Sequence, residues 1–391
     1  MIILLWFSLF VVAYTFVGYG FLLYIIIKIK RAVKGKPVVP AIVPDALPTC
    51  TLVVAAYNEE HFITQKISNS LALKYPEGKL KFVFVTDGSS DRTPEIIAQY
   101  PQIQLLHRSE RAGKIAAVHR AMEQVNTEVV VFTDANTFLN SEAIERICRH
   151  YSDRTVGAVA GEKRVQVDTS ADASAAGEGF YWKYESTLKK WDSELYSVVG
   201  AAGELFSVRR DLYQDVPPDT VLDDFMISML IAEQGYRIIY EPDAYALETA
   251  SENVSEELKR KIRIAAGGIQ SIIRLKSLLF SVKYPLLSFQ YVSHRVLRWT
   301  VTPLFLILAF LINLQLAAAH YNLFYTLLFI AQIAFYLLAA LGFIMEKRHI
   351  RIKALFIPYY FCVMNYAVLA GIVRYFTKKQ SAVWEKAQRK M

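Results

Sequence analysis

The first 27 residues of this 391-residue chain carry no charged side chain. A helix of that length, rising 1.5 Å per residue, is long enough to cross the hydrocarbon core of a bilayer. Five basic residues follow it directly: Lys28, Lys30, Arg31, Lys34 and Lys36. Positive charge after a span is typical of the cytoplasmic side, so residues 1–27 predict a transmembrane helix with its N-terminus outside. A cleaved signal peptide, the alternative, would begin with basic residues and have a shorter apolar core.

The composition excludes a wholly soluble or disordered chain. Hydrophobic residues make up 54% and charged residues 20%, below the roughly 25% charge of soluble domains. The net charge of +8 is concentrated near the apolar stretches, where anionic lipids explain it, so we predict no nucleic-acid partner. Cys50, Cys148 and Cys362 are far apart and show no zinc or disulfide spacing, which indicates free thiols in a reducing compartment.

Residues 299–376 predict further membrane helices. Thr300 to Ala319 and Leu323 to Met345 are uncharged and long enough to form a spanning hairpin. Leu355 to Val373 is apolar but contains Pro358 and Asn365. If this third segment spans, the basic tail at residues 377–391 lies outside, against the positive-inside rule. A re-entrant or tilted helix therefore stays open as an alternative.

Residues 28–49 predict a basic, proline-rich linker, and residues 50–283 a cytosolic α/β domain. Short β-branched runs alternate there with helical patterns, which is typical of parallel strands joined by crossover helices. The predicted strands are Thr51–Ala56, Leu80–Thr86, Ile103–His107 and Val129–Thr133, and the first crossover helices are Glu59–Leu73 and Ile115–Val125. Residues 284–298 predict an amphipathic helix in the membrane interface, or one packed under the domain.

Polar residues follow three of the predicted strands at the edge where such sheets bind ligands. They are Tyr57-Asn58-Glu59, Asp87-Gly88-Ser89-Ser90-Asp91 and Asp134-Ala135-Asn136. An aspartate at a strand end can accept hydrogen bonds from a nucleotide, and Gly88 allows close backbone approach. The Asp134 carboxylate and the Asn136 amide suit Mg²⁺ or Mn²⁺, whose other ligands come from substrate phosphates. Alternatively, these residues are turns and helix caps.

Asp223 and Asp224 begin a predicted helix, where they indicate either a general base or acids that favour the helix dipole. The chain has no glycine-rich phosphate-binding motif, so phosphate binding depends on the metal and on scattered cations. Lys114 and Arg263 are the candidates.

Taken together, these motifs resemble the membrane-bound inverting glycosyltransferases of family 2, such as cellulose, hyaluronan and poly-N-acetylglucosamine synthases. The matching pieces, in order, are Tyr57-Asn58-Glu59-Glu60, Asp87-Gly88-Ser89-Ser90-Asp91, Gly113-Lys114, Asp134-Ala135-Asn136, Gly203-Glu204, Asp223-Asp224 and Arg260-Lys261-Ile262-Arg263-Ile264. The resemblance implies a mixed, mostly parallel sheet that binds a nucleotide sugar, of the glycosyltransferase A type.

It also implies roles for the site residues. Asp87 resembles the aspartate that contacts the nucleotide base, and Asp134 the first acid of the family's DxD element, with Asn136 in place of the second. Asp224 resembles the catalytic base, with Asp223 in place of the usual glutamate. The remaining residues implied are Tyr57, Asn58, Glu59, Lys114, Arg260 and Arg263 for the donor, Asp134 and Asn136 for Mg²⁺ or Mn²⁺, and Gly203 and Glu204 for the acceptor.

The family's polymerases show QxxRW near the membrane, whereas this chain has Arg260 and Ile264 at the Gln and Trp positions and keeps Arg263. The indole that stacks on an acceptor sugar is missing, which supports sugar transfer more firmly than polymerisation.

We therefore expect an integral protein of a bacterial inner membrane that transfers sugar, by inversion, from a nucleotide sugar such as a UDP-sugar to a growing surface polysaccharide or other glycan. The alternatives are transfer of one sugar to a lipid-linked acceptor and a catalytically silent scaffold. The expected partners are the donor, the glycan or lipid-linked acceptor and membrane lipids.

Overall fold

The computed structural model describes residues 1–166, 173–249, 254–348, 350 and 352–378. The strands are β1 (Cys50–Ala56), β2 (Leu80–Asp87), β3 (Ile103–Arg108), β4 (Val129–Asp134), β5 (Thr137–Leu139), β6 (Val156–Gln166), β7 (Phe206–Arg209) and β8 (Arg237–Thr249). The helices are α1 (Ile2–Lys34), α2 (Glu60–Leu71), α3 (Thr93–Ile97), α4 (Lys114–Met122), α5 (Ala143–Cys148), α6 (Ala173–Leu195), α7 (Asp223–Glu233), α8 (Val254–Arg274), α9 (285–299), α10 (Val301–Ala318), α11 (Leu323–Lys347) and α12 (Lys353–Phe376).

The eight strands in the described part of the chain form one mixed sheet. From one edge to the other, the order is β3-β2-β1-β4-β7-β6-β8-β5. The pairs β3/β2, β2/β1 and β1/β4 are parallel, whereas β7 runs antiparallel to both β4 and β6. This arrangement confirms the predicted α/β class with a mixed, mostly parallel sheet.

The four predicted strands form, each within one residue of its expected ends. The strands β1 and β4 and the second half of β2 are buried and mostly apolar, as expected of parallel strands that are covered on both faces, whereas only Ile103 is buried in the edge strand β3. The strands β5 to β8 extend this sheet on the β4 side.

The sheet separates two hydrophobic cores. Val53 of β1 faces the core that α4, α7 and α9 cover, whereas Leu52 and Val54 face the core that α2 and α5 cover. Each fully buried Val, Leu or Ile contributes about 1.5–3 kcal/mol to folding. Because α2 and α4 lie on opposite faces, they approach the ends of the strands from opposite sides.

Among the described residues, four helices are long and apolar enough to cross a membrane: α1, α10, α11 and α12. Leu5 of α1 packs with Ala309, Ile312 and Leu316 of α10. The helix α1 contains a π-helical segment at Tyr14–Gly18 and continues to Lys34, because the first residue that leaves helical backbone geometry is Gly35, with φ +74°. The first part of the predicted linker is therefore helical.

The helix α9 follows the sheet domain and leads into α10. Its Leu287 and Tyr291 are buried in the core that α4 and α7 share, whereas Leu286 is exposed. Of the predicted basic tail, residues 379–391 lie outside the described residues.

Candidate active site

The site lies where the strand order reverses, between β1 and β4. In open α/β sheets, ligands bind in the crevice beyond the carboxyl ends of the strands at this switch point. Asp134 at the end of β4 is paired with Ala55, and Thr86 of β2 is paired with Ala56. The register therefore places Asp87 and Asp134 on either side of the end of β1.

Asp87 shapes the loop before α4. Its Oδ2 accepts hydrogen bonds from the backbone N–H groups of Ala112 at 2.9 Å and Gly113 at 2.6 Å. The Asp87 side chain is buried, and within the described part of the chain its Oδ1 has no hydrogen-bond partner. Nη1 of Arg120 lies 3.9 Å from this Oδ1, too far for a hydrogen bond, so the oxygen can still accept one from a ligand. The next residue after the loop is Lys114, the first residue of α4.

Lys114 joins two acidic segments that are distant in sequence. Its Nζ lies 2.9 Å from Oδ1 of Asp134 and 3.6 Å from Oδ2 of Asp223. Burial lowers the pKa of Lys114, but the carboxylates of Asp134, Asp223 and Asp224 outweigh this effect, and the net pKa lies above its usual value. The ammonium is therefore a fixed positive charge.

Asp223 and Asp224 form the first turn of α7, as the sequence predicts. Oδ1 of Asp224 accepts a hydrogen bond from the N–H of Phe225 at 2.8 Å. Burial, and next the charge of Asp223, raise the pKa of Asp224 to about 7, although Lys114 and the Phe225 N–H lower it. A carboxylate with such a pKa can take up a proton near neutral pH.

The loop of Gly203 and Glu204 lies against this cluster. A side chain at Gly203 would approach Oδ2 of Asp224 at 3.3 Å and Nζ of Lys114 at 3.5 Å. The Glu204 carbonyl accepts a hydrogen bond from Oγ1 of Thr133 at 2.9 Å. Gly203 therefore leaves space beside the candidate base.

The Glu204 carboxylate faces a different group of charges. It accepts a hydrogen bond from Lys163 at 2.6 Å, and Lys163 also pairs with Glu248. Burial raises the pKa of Glu204, but Lys163 and Arg260 outweigh it and hold the pKa below its usual range. Glu204 is therefore ionised and held by cations at neutral pH.

Arg260 belongs to this second group, with Nε 3.3 Å from Glu257 and Nη1 4.0 Å from Glu248. Arg263 lies one turn further along α8 and is partly exposed. The structure thus brings Lys114, Asp134, Asp223, Asp224 and Gly203 together. It places Arg260 with Glu204, Glu248 and Glu257.

The end of β1 lies beside the Asp87 turn. Asn58, with φ +54°, donates its N–H to Oγ of Ser89, and its Oδ1 accepts from the N–H of Ser90. The N–H of Glu59 donates to Oγ1 of Thr93, and Arg111 stacks on the ring of Tyr57 at 3.9 Å. These contacts hold the two strand ends together.

A cavity opens at this edge of the sheet. Its lining residues are Val53, Ala55, Lys114, Val118, Phe132, Thr133, Asp134, Gly203, Phe206, Asp223 and Ile227. The lining combines apolar side chains of the sheet, α4 and α7 with a few charged ones, as in many small-molecule sites.

The residues at the end of β4 can supply part of the coordination shell of a divalent cation. Asp134 offers a carboxylate, and Asn136 offers a buried amide. The described ranges contain no group of three or more His, Cys, Asp or Glu residues that could hold a metal ion by itself. Mg²⁺ and Mn²⁺ accept such a sparse set when substrate phosphates supply further oxygens.

Three basic residues that contact the site were not predicted from the sequence. Arg111 stacks on Tyr57, Arg120 donates to the Thr86 carbonyl at 2.9 Å, and Lys66 is buried beneath the end of β4. The signal for Lys66 was present, because it lies between Ile63 and Ile67 on the apolar stripe of α2.

Residues 51–216 match the family model described as glycosyl transferase family 2. The poly-beta-1,6-N-acetyl-D-glucosamine synthase of Staphylococcus aureus strain COL is 28% identical over 281 residues, which cover 69% of this chain and 66% of the relative. The synthase of the same name from Staphylococcus epidermidis is 25% identical over 234 residues, covering 57% of this chain and 55% of the relative.

Among solved structures, the mannosyltransferase PcManGT from Pyrobaculum calidifontis, in complex with GDP-Man and Mn²⁺, superimposes with a TM-score of 0.73 and 25% identity. The match covers 96% of this chain and 100% of that one. The chain therefore carries a glycosyltransferase domain of family 2, an inverting family, together with candidate transmembrane helices.

Proposed function

We propose that this enzyme transfers a sugar from a nucleotide sugar, with a UDP-sugar as the expected donor, to a growing surface polysaccharide. The observation that carries the proposal is the meeting of Lys114, Asp134, Asp223 and Asp224 beside Gly203 at the switch point of the sheet. This arrangement provides a cation, a metal ligand and a base around one crevice.

The nucleotide base is recognised by Asp87. Its buried Oδ1 can accept a hydrogen bond from a ring N–H, and both uracil and guanine offer one. The Tyr57 to Glu59 edge lies beside it. The relatives named poly-beta-1,6-N-acetyl-D-glucosamine synthase support an N-acetylglucosamine donor, whereas the GDP-Man in PcManGT supports a mannose donor.

Asp224 is the general base. With a pKa of about 7, it can accept the proton of an acceptor hydroxyl as that oxygen attacks the anomeric carbon from the face opposite the diphosphate. The bond to the diphosphate breaks in the same step, and the configuration inverts. Lys114 is positioned to offset the negative charge that grows on the leaving diphosphate.

Asp134 and Asn136 would hold Mg²⁺ or Mn²⁺. When bound, the cation supplies positive charge to the diphosphate. PcManGT was solved with Mn²⁺, which supports a divalent metal in this fold.

The catalytic domain faces the cytosol of a bacterial cell membrane. The basic residues at the end of α1 support this orientation under the positive-inside rule. A second candidate function is transfer of one sugar to a lipid-linked acceptor, which the aliphatic Ile264 favours because it cannot stack on a polymer's terminal sugar.

A donor panel tests the proposal. Purified protein in detergent is given UDP-N-acetylglucosamine, UDP-glucose or GDP-mannose with Mn²⁺ or Mg²⁺, and release of the nucleoside diphosphate is followed. We expect release from one donor that needs metal and is lost in Asp224→Asn. The products from radiolabelled donor are then sized, since a ladder supports polymerisation and one species supports single transfer. No release from any donor would contradict the proposal.

A further inference from the structure

Lys66 is a buried lysine that the proposed mechanism does not use. It lies in the middle of α2 and has 0% of its surface exposed. Its ammonium has no carboxylate within 4.0 Å among the residues that the structure describes. Burying an ammonium without a paired acid raises the free energy of the folded state, whereas an apolar side chain of similar length would fill the same space without that penalty. The lysine therefore needs an explanation beyond packing.

The contacts of Lys66 lie at the two ends of the Asp134-Ala135-Asn136 turn. Its Nζ donates to Oγ1 of Thr133 at 3.1 Å, just before the turn, and to the carbonyl of Thr137 at 2.6 Å, just after it. The two threonine hydroxyls are 3.0 Å apart, and that of Thr137 lies 3.0 Å from the carbonyl of Asp134. The ammonium thus joins both ends of this turn.

The same network reaches the candidate acceptor loop. Since Oγ1 of Thr133 accepts from Lys66, its proton is directed to the Glu204 carbonyl at 2.9 Å. Lys66 therefore supports two segments that contribute to the crevice, the turn of Asp134 and the loop of Gly203.

Two lysines approach the end of β4 from opposite faces of the sheet. Lys114 on α4 contacts the Asp134 side chain, whereas Lys66 on α2 contacts the backbone and hydroxyls on either side of it. In this position, Lys66 contacts both sides of Asp134 without occupying its carboxylate. Burial lowers the pKa of Lys66 to about 7, and the charge of Asp134 opposes that decrease.

We propose that Lys66 is a positioning residue of the donor site, which holds the Asp134-Ala135-Asn136 turn in the geometry that binds a metal and a nucleoside diphosphate. This proposal rests on the proposed function. An amide at position 136 brings no charge to a cation, so the site depends more on the placement of its oxygens than a pair of carboxylates does.

The test compares full-length variants in detergent by calorimetric titration with UDP and with GDP, each in MnCl₂. Lys66→Met keeps the length of the side chain and removes the ammonium. We expect its dissociation constant for the metal–nucleotide to rise about tenfold or more, as for lost supporting contacts of a metal site. Ser70→Ala is the matched control, because Ser70 is also buried on α2 but donates to the Lys66 carbonyl rather than to the turn. Its dissociation constant should equal that of the wild type.

Thr133→Val provides a second variant. It keeps the shape of the side chain and removes both the acceptor for Lys66 and the link to Glu204, so nucleotide binding should weaken even if Lys66→Met does not fold. Wild-type binding with an unchanged dissociation constant in folded Lys66→Met, or in Thr133→Val, would overturn the positioning role. Wild-type protein that binds neither nucleotide would instead contradict the proposed function and remove the basis for this role.

Discussion

Asp223 and Asp224 are adjacent in α7, but their side chains have different surroundings. Asp224 lies against Gly203 and has a pKa near 7, whereas Asp223 contacts Lys114. In Asp224→Asn, turnover should fall on the order of 10²–10⁴-fold, because the amide cannot accept the proton. Donor binding, measured by calorimetry, should persist. Asp215→Asn is the control, since Asp215 is exposed and lies outside the crevice. Full activity in Asp224→Asn would contradict the assignment of the base.

The pH dependence follows from the same carboxyl group. The base works only when ionised, so the rate should rise with pH through about 7 and level off above it. Asp223 raises the pKa of Asp224, and in Asp223→Asn the midpoint should therefore move to lower pH. Rates across a pH series for both proteins measure the shift. Coincident midpoints would show that Asp223 has no such effect.

At the scale of elements, the turn after β2 depends on Gly88. Its φ is +71°, and a side chain there would lie 2.5 Å from Cβ and 2.9 Å from Cα of Arg111. Gly88→Ala should displace the Arg111 loop that Asp87 holds, and so weaken nucleotide binding about tenfold or more, as expected when a binding loop is displaced.

Gly78→Ala is the matched control for backbone strain, since Gly78 has φ +73° but nothing within 4 Å. A left-handed alanine costs about 1–3 kcal/mol, so both variants should lose thermal stability. Equal nucleotide affinities in the two variants would show that the turn does not support the site.

The strands β1 to β4 were predictable because each contains a short apolar run between turn or helical segments, and the carboxyl ends of β2 and β4 located Asp87 and Asp134. The strands β5 to β8 were not, because a short strand such as β7 acquires its partners from segments far away in the sequence. Lys66 was missed for a related reason. A lysine on an amphipathic helix is normally exposed, and its hydrogen bonds to Thr133 and Thr137 exist only after the sheet has formed.

On the scale of the whole molecule, buried charges connect the sheet domain to the segment before the membrane helices. Glu185 of α6 contacts three basic groups of α9: His294 at 3.2 Å, Arg295 at 2.8 Å and Arg298 at 3.0 Å. Burial raises the pKa of Glu185, but its contacts with Arg295, His294 and Arg298 outweigh burial and hold the pKa well below its usual range. This stabilisation is present above the usual carboxyl pKa and is lost as the pH falls through the lowered value.

Glu185→Gln should therefore lower the free energy of unfolding at pH 7 by about 3–5 kcal/mol, because Arg295 and Arg298 lose a buried anion, whereas His294 still contacts Asp192. Thermal unfolding in detergent measures the effect. Glu95→Gln is the control, since the Arg92–Glu95 pair is exposed and 3.9 Å apart, and such pairs contribute about 0–1 kcal/mol. An equal decrease in the free energy of unfolding in both variants would show that the Glu185 contacts do not stabilise the packing of α6 on α9.

The most direct test of the central claim, that Asp87, Asp134 and Asp224 surround one donor, is an experimental structure of Asp224→Asn with the accepted nucleotide sugar and Mn²⁺. We expect the nucleotide base at Oδ1 of Asp87, the diphosphate between Lys114 and the Asp134-Ala135-Asn136 turn, and the anomeric carbon facing residue 224. A donor bound elsewhere, or bound with its sugar turned away from residue 224, would contradict it.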